Sequence, residues 1–488
     1  VKLPGFASLS LLGRIAVALW RSGLLRLTAC EILSIVGAWW RCRNSFAFLA
    51  QMAAIRFGSR PALRDDEGEL SFGQLHGQSL ALSQRLRQDF ALGPGQQVAL
   101  MGRNHRGFVL GLLACTRLGV DVLPLAPDLP SRVSETILKR QRISLLLHDP
   151  DLDCSAFGVT AVPLSPEPME FQGELPPVRR GGELVVLTSG SSGIAKGIRR
   201  RPTLPQVLPL VAGLLESLPL QMHRPVVLAI PLYHGYGIAT LAMALALGAP
   251  LQLGRRYEIG PLLQRLTPGD QPLLVTVPTL LSRWLKQGPQ SQTRPAAVIT
   301  GSAPLDAALC QQALTSLGPV LFNLYGSTEA GLVALATPGL LSRAPGSVGL
   351  PLPGNRVRLV DELDVDVPSG QVGRILVKGA FALPSRDDGW RDTGDLGRQD
   401  AEGNLYLCGR ADTMIVSGGE NVYPHEVEDL LSSHPLLTEV AVVVQDDEEF
   451  GRRMSAVVVP KAGANLDSDQ IRLWLKERLE RSKMPRTI

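Results

Sequence analysis

Short apolar runs that stop at Gly, Pro or Ser, separated by helix-length stretches, constrain this chain more than any other feature. Residues 98–101, 145–147, 184–188 and 226–230 are of this kind, and 273–277, 297–300 and 320–324 continue the series. A continuous hydrophobic run is what a strand buried on both faces looks like, so layers of helix over largely parallel sheet are expected. Sheets of that type take ligands beyond the carboxyl ends of their strands, which directs attention to the loops that follow the runs. At 488 residues the chain is longer than one core supports. Between residues 346 and 407, Gly, Pro and Asp punctuate short alternating strands such as 356–360 and 374–377, the texture of a compact β subdomain. After Gly409 a βαβ-like tail is expected, with strands at 440–444 and 456–459 and then a helix over 468–481. The expected fold class is α/β. A large N-terminal domain of layered α/β subdomains plus a β subdomain covers 46–408, and a small α+β C-terminal domain covers 409–488.

Charge sets the first residues apart. Residues 1–64 hold Lys2, Arg14, Arg21, Arg26, Arg41, Arg43, Arg56, Arg60 and Arg64 against the single acid Glu31, a net +8, whereas the whole chain is only +4. Trp20, Trp39 and Trp40 lie in the same stretch. A basic, tryptophan-bearing amphipathic extension over 1–45 reads either as a peripheral membrane contact or as a helical hairpin that buries its tryptophans on the main body. No run is long and charge-free enough to span a bilayer. The modest overall charge gives no reason to expect nucleic acid. Cys30, Cys42, Cys115, Cys154, Cys310 and Cys408 are scattered without a C-x-x-C pair, and the histidines lack metal-ligand spacing. Free thiols and a cytoplasmic location, peripheral on the inner face of a membrane if the extension binds one, are expected.

The strongest local signal follows the run at 184–188. Thr188, Ser189, Gly190, Ser191, Ser192, Gly193, Ile194, Ala195, Lys196 and Gly197 combine glycines that let backbone N–H groups approach a ligand, hydroxyls that add donors, and a lysine that adds charge. A polyphosphate suits that set. The spacing is not that of a Walker A loop, and neither G-x-G-x-x-G nor G-x-S-x-G occurs in the chain. A flexible Ser/Gly linker would have a similar composition, but not this place directly after a buried strand.

The segment Thr188 to Gly197 resembles the phosphate-binding motif of the adenylate-forming (AMP-binding) superfamily, with Ala195 where the family usually has Pro. Further segments resemble the family's motifs in order: Pro231-Leu232-Tyr233-His234-Gly235, Gly301-Ser302-Ala303-Pro304, Tyr325-Gly326-Ser327-Thr328-Glu329, Thr393-Gly394-Asp395, Gly409-Arg410-Ala411-Asp412 and Ser417-Gly418-Gly419-Glu420. The last of these, continuing through Asn421, Val422, Tyr423 and Pro424, looks most like the fatty-acyl-CoA synthetase branch.

The resemblance implies a role for each. Lys196 and the hydroxyl loop would hold phosphates, and His234 would lie near the carboxylate. Residues 301–304 would line the adenine pocket, and Tyr325 would stack on the base. Thr328 would contact the α-phosphate, and Glu329 would hold Mg2+. Asp395 would accept bonds from the ribose hydroxyls, with Arg410 nearby. Asp412 would be the hinge of a mobile small domain, and Gly418, Gly419 and Glu420 would belong to a turn beside the CoA channel.

The expected activity is ATP-dependent conversion of a carboxylic acid, a medium- to long-chain fatty acid by resemblance, to acyl-AMP and then to acyl-CoA. ATP, Mg2+ and CoA are the cofactors so implied. The alternatives are a fatty-acyl-AMP ligase that loads an acyl carrier protein and a catalytically impaired lipid-binding relative. Residues 482–488 resemble the stretch just before the family's C-terminal catalytic lysine, so the small domain reads as shortened.

Overall fold

The computed structural model describes residues 11–164, 171, 173–188, 196–199, 204–288, 293–382, 388–411, 415–417, 420–422, 424–447, 451–464, 466–479 and 483–488. The chain divides into two units, Val1–Ile299 and Thr300–Ile488.

In the first unit, the strands Asp121–Leu125, Gln97–Met101, Leu145–His148 and Thr160–Pro163 lie side by side in that order, all parallel. The apolar runs become strands because both sheet faces are covered: Val98, Ala99, Leu100, Leu123 and Leu146 have no exposed surface. The helix Arg106–Arg117, buried along its whole length, makes the crossover between the first two of these strands in the chain. A second group runs Leu273–Thr276, Val226–Leu228, Leu251–Gln252 and Pro61–Asp65, again parallel, with Gly68–Ser71 antiparallel at the edge. This unit also holds a hairpin of Val185–Thr188 and Lys196–Arg199.

The N-terminal extension is helical. Leu11–Arg21 packs Ile15 and Ala18 against Ala212 of the helix Leu204–Ser217, and Arg14 pairs with Glu216 at 2.5 Å. Ala29–Cys42 starts at a capping box between Thr28 and Glu31 and buries Ala38 and Cys42. The hairpin alternative required buried tryptophans, and here the structure corrects it: Trp20, Trp39 and Trp40 are all exposed. Ile15, Ala18, Ala38 and Cys42 take the inner faces of the two helices, and the indoles lie on other sides. No described helix is long and apolar enough to cross a membrane.

In the second unit the antiparallel order is Leu321–Ser327, Gly331–Ala336, Ser347–Pro351, Leu405–Arg410, Arg391–Gln399, Gly373–Lys378 and Arg356–Val360. Val333, Ala334, Ile375, Val377 and Leu405 form its dry core. The β texture expected between 346 and 407 is this sheet. The strand expected over 320–324 runs on to Ser327, which carries Tyr325 and Gly326 into the sheet.

The tail needs a correction. Leu437–Asp447 and Gly451–Pro460 form an antiparallel hairpin, not a βαβ unit. Only residues 448–450 separate the two strands, and a parallel crossover takes a dozen or more. The helices Pro424–Ser432 and Ser468–Lys476 pack Val427, Leu431, Ile471 and Leu475 with Met454 and Ala456 of the hairpin. The second helix ends at Lys476 rather than near residue 481.

Candidate active site

The second unit gathers several of the expected residues on adjacent strands. Asp395 and Arg410 are register partners in the pair Arg391–Gln399 and Leu405–Arg410. Arg410 donates from Nη1 to Asp395 Oδ1 at 3.1 Å and to the Thr393 carbonyl at 3.2 Å. Tyr325 donates its hydroxyl to Asp395 Oδ2 at 2.7 Å. The Asp395 backbone N–H donates to Thr393 Oγ1 at 3.1 Å, and that hydroxyl is itself fixed on the Ile375 carbonyl. The carboxylate is therefore held at both oxygens and from its own backbone, with a lone pair on each oxygen still open.

Burial raises the Asp395 pKa above the ordinary carboxylate value, and the bonds from Tyr325 and Arg410 oppose this. Glu329 adds to the rise, so its charge lies near enough to be felt. Burial and the same carboxylate push the Tyr325 phenol well above its usual value. Glu329 stands at a turn opened by Ser327, whose Oγ accepts from the N–H groups of Glu329 and Ala330. Thr328, in the same turn, is exposed.

Glycines set the close approaches. A Cβ on Gly301 would come within 2.5 Å of the Leu324 carbonyl oxygen, and the following Ser302 takes a left-handed φ of 64°. Ser302, Ala303 and Pro304 are exposed on the loop that follows. Gly394 has φ +75°, and a Cβ there would meet Arg410 Nη2 at 2.8 Å. Gly326 lies against the Gly331 carbonyl, at 2.5 Å from a would-be Cβ. Glu420 pairs with Ser417 in a small antiparallel hairpin. Asp412, Gly418 and Gly419 lie outside the described residues.

The first unit holds the remaining candidates. Thr188 and Lys196 are paired across the mouth of their hairpin, while Ser189, Gly190, Ser191, Ser192 and Gly193 lie outside the described residues. His234 is the N-cap of the helix Gly235–Leu247, and its ring lies 4.6 Å from that of Tyr233. Burial lowers the His234 pKa, and Asp128 opposes the shift. Burial raises the Tyr233 and Tyr257 pKa values, and the nearby Asp128 carboxylate adds to both rises.

Sequence reasoning missed what holds this loop. Asn104, wholly buried, donates from Nδ2 to the Ile230 carbonyl at 2.7 Å and accepts from the Leu232 N–H at 2.7 Å. Its amide thus replaces a missing strand partner for the segment that presents Tyr233 and His234. The adjacent His105 is tied at Nε2 to buried Asp149, 2.6 Å away, and accepts from the Gly107 N–H at Nδ1. No short-range pattern marks Asn104, because its partners lie more than a hundred residues away. Among the described residues no group of His, Cys, Asp and Glu could itself hold a metal ion, and none of the six cysteines forms a disulfide.

Comparison with known proteins identifies the family. The AMP-binding enzyme family matches residues 50–384, and the AMP-binding enzyme C-terminal domain matches 426–488. Indoleacetate–CoA ligase of Aromatoleum aromaticum is 30% identical over 470 residues, covering 88% of this chain and 91% of that protein. 2-Succinylbenzoate–CoA ligase of Bacillus licheniformis is 28% identical, with 88% and 92% covered. The solved O-succinylbenzoate coenzyme A synthetase of Bacillus subtilis, in complex with ATP and magnesium ion, superposes with a TM-score of 0.78 at 25% identity, covering 90% of this chain and 94% of that one. The chain belongs to the AMP-binding enzyme family and is an ATP-dependent acid–CoA ligase of the adenylate-forming superfamily, using ATP, Mg2+ and, as co-substrate, CoA.

Proposed function

We propose that this chain joins AMP to an apolar carboxylic acid and passes the acyl group to CoA, with its nucleotide held where Tyr325, Asp395 and Arg410 converge. The observation that carries the reading is the doubly tethered Asp395 carboxylate, which keeps one free lone pair on each oxygen for a pair of ribose hydroxyls. Tyr325 would turn its ring to the base while its hydroxyl orients Asp395. The Gly301 to Pro304 loop would border the base, and Thr328 would donate to the α-phosphate. Glu329 suits Mg2+: it is a hard carboxylate whose field already disfavours ionisation of Asp395, so a cation there relieves both. Mg2+ would supply charge neutralisation on the phosphates.

Lys196 and the hydroxyls from Thr188 to Ser192 would hold the leaving pyrophosphate, and His234 would border the acid. A carboxylate is a poor acyl donor because oxide is a poor leaving group. Its oxygen attacks the α-phosphorus as pyrophosphate departs, and the CoA thiolate then attacks the acyl carbon as AMP departs. We assign Asp412 as the hinge of a small domain over 409–488, and Gly418, Gly419 and Glu420 as the turn beside the CoA channel.

Two acid classes have support. The N-terminal extension resembles those of ligases for long acyl chains, which favours a medium- to long-chain fatty acid. The relatives are named for indoleacetate and 2-succinylbenzoate, which favours an acid carrying an aromatic ring. ATP- and CoA-dependent thioester formation, measured across a panel of fatty, arylacetic and arylalkanoic acids, separates the two. Thioester from no acid in the panel, with pyrophosphate release also absent, would reject the activity. Transfer to an acyl carrier protein but not to CoA would instead support the carrier-loading reading.

A further inference from the structure

The helix Ala29–Cys42 carries two apolar arcs, and the described residues cover only one. Ile35, Ala38 and Cys42 recur at helical spacing on the inner side, where Ala38 and Cys42 have no exposed surface. Ile32, Leu33, Val36, Trp39 and Trp40 share another side of the same helix and are 49%, 74%, 56%, 41% and 57% exposed. Trp20 and Leu25, before this helix, are 60% and 50% exposed. Large apolar side chains grouped in this way mark a contact surface, unlike single exposed ones.

The surrounding charge indicates the partner. Arg21, Arg26 and Arg41 are exposed beside the apolar arc. The Arg43 guanidinium lies over both Trp39 and Trp40, at 5.0 and 5.2 Å, and Arg26 lies over Trp20 at 5.7 Å. Glu31, the one acid in residues 1–64, is turned into the helix cap, where its carboxylate accepts from Thr28 N and Oγ1 at 2.7 Å. The outer face therefore combines tryptophan, branched aliphatics and arginine. A second copy would set its own Arg21, Arg26 and Arg41 against these three and be repelled, whereas an anionic surface would not. At 14 residues the helix is about 21 Å long, too short to cross a bilayer but long enough to lie in its interface.

We propose that this face docks on an anionic lipid bilayer. Leu33, Val36 and Trp40 enter the boundary between headgroups and acyl chains, and Arg26 and Arg41 meet the lipid phosphates. Trp39 and Trp20 flank the contact at the interfacial depth that indoles favour. The proposal is independent of which acid is activated.

The test uses the full chain and sedimentation with vesicles of phosphatidylcholine alone or mixed with phosphatidylglycerol. The unaltered chain should bind the mixed vesicles and lose binding as salt rises. The triple variant Leu33→Gln, Val36→Gln, Trp40→Gln should bind at least about tenfold more weakly while ATP–pyrophosphate exchange stays unchanged. The double variant Arg26→Gln, Arg41→Gln should lose its preference for the anionic lipid. Brominated lipid should quench the tryptophan fluorescence of the unaltered chain, a readout that needs no variant. Equal vesicle binding by the triple variant, or no quenching, would overturn the proposal. So would a lipid-independent dimer that the triple variant dissolves, since a second copy would then cover the face.

Discussion

Asp395 works against its own folding. Burial holds its pKa above the unfolded value of 3.8. A carboxyl with a raised folded pKa stabilises the fold most when protonated, below 3.8, and that contribution is lost as pH rises through the raised value. At neutral pH the ionised group is therefore a cost, which the proposed ribose contact would account for. Asp395→Asn should leave the melting temperature of the nucleotide-free chain unchanged or slightly higher while abolishing the rise that ATP produces. A large loss of stability without nucleotide would show that Asp395 is structural instead. If Lys196 and Glu329 act at the phosphates as proposed, Lys196→Ala and Glu329→Gln should each slow pyrophosphate release by about a hundredfold or more, on the order of 3 kcal/mol at the transition state. Unchanged release in both would reject the assignment of the phosphate and metal site.

At the level of elements, the loops are held from a distance. The Asn104 amide clamps the Ile230 to Leu232 backbone ahead of the helix that starts at Gly235. Asn104→Ala leaves a buried carbonyl and N–H without partners and should cost about 2 kcal/mol of stability. If the clamp sets the position of His234, the KM for the acid should rise more than the KM for ATP. An equal rise in both would assign Asn104 to stability alone. Gly394 has a different constraint, since its left-handed φ and the Arg410 guanidinium both exclude a side chain. Gly394→Ala should push Arg410 off Asp395 and raise the KM for ATP by about tenfold, with thioester formation from supplied acyl-adenylate less affected.

For the whole molecule, the proposed hinge at Asp412 would separate two half-reactions. Asp412→Pro fixes φ and removes an N–H at the pivot. Adenylation, read as pyrophosphate release, and thioester formation from supplied acyl-adenylate should then fall by different factors. A proportional loss of both, with an unchanged melting temperature, would mean that rotation at this point does not divide the reaction.

Much of this was legible without coordinates. Apolar runs such as 98–101 and 145–147 are strands because a strand buried on both faces has no freedom to be anything but apolar, and that requirement is local. Tyr325, Asp395 and Arg410 stand in short motifs that the sequence shows one by one, and the fold brings the three side chains into contact. Other features depended on partners distant in sequence. Nothing near Asn104 indicates that its amide meets Ile230 and Leu232, and only the folded chain brings them together. Apolar content alone could not say whether Trp39 and Trp40 were buried, since helix spacing allows either, and packing of Ala38 and Cys42 decided it. The tail took the wrong topology in the sequence reading because two apolar runs and a helix carry no direction; the short link across residues 448–450 forces the antiparallel pair. Composition and motif order thus determined the layers and the family. Tertiary structure decided which groups touch, because contacts between residues far apart in the chain have no local signal.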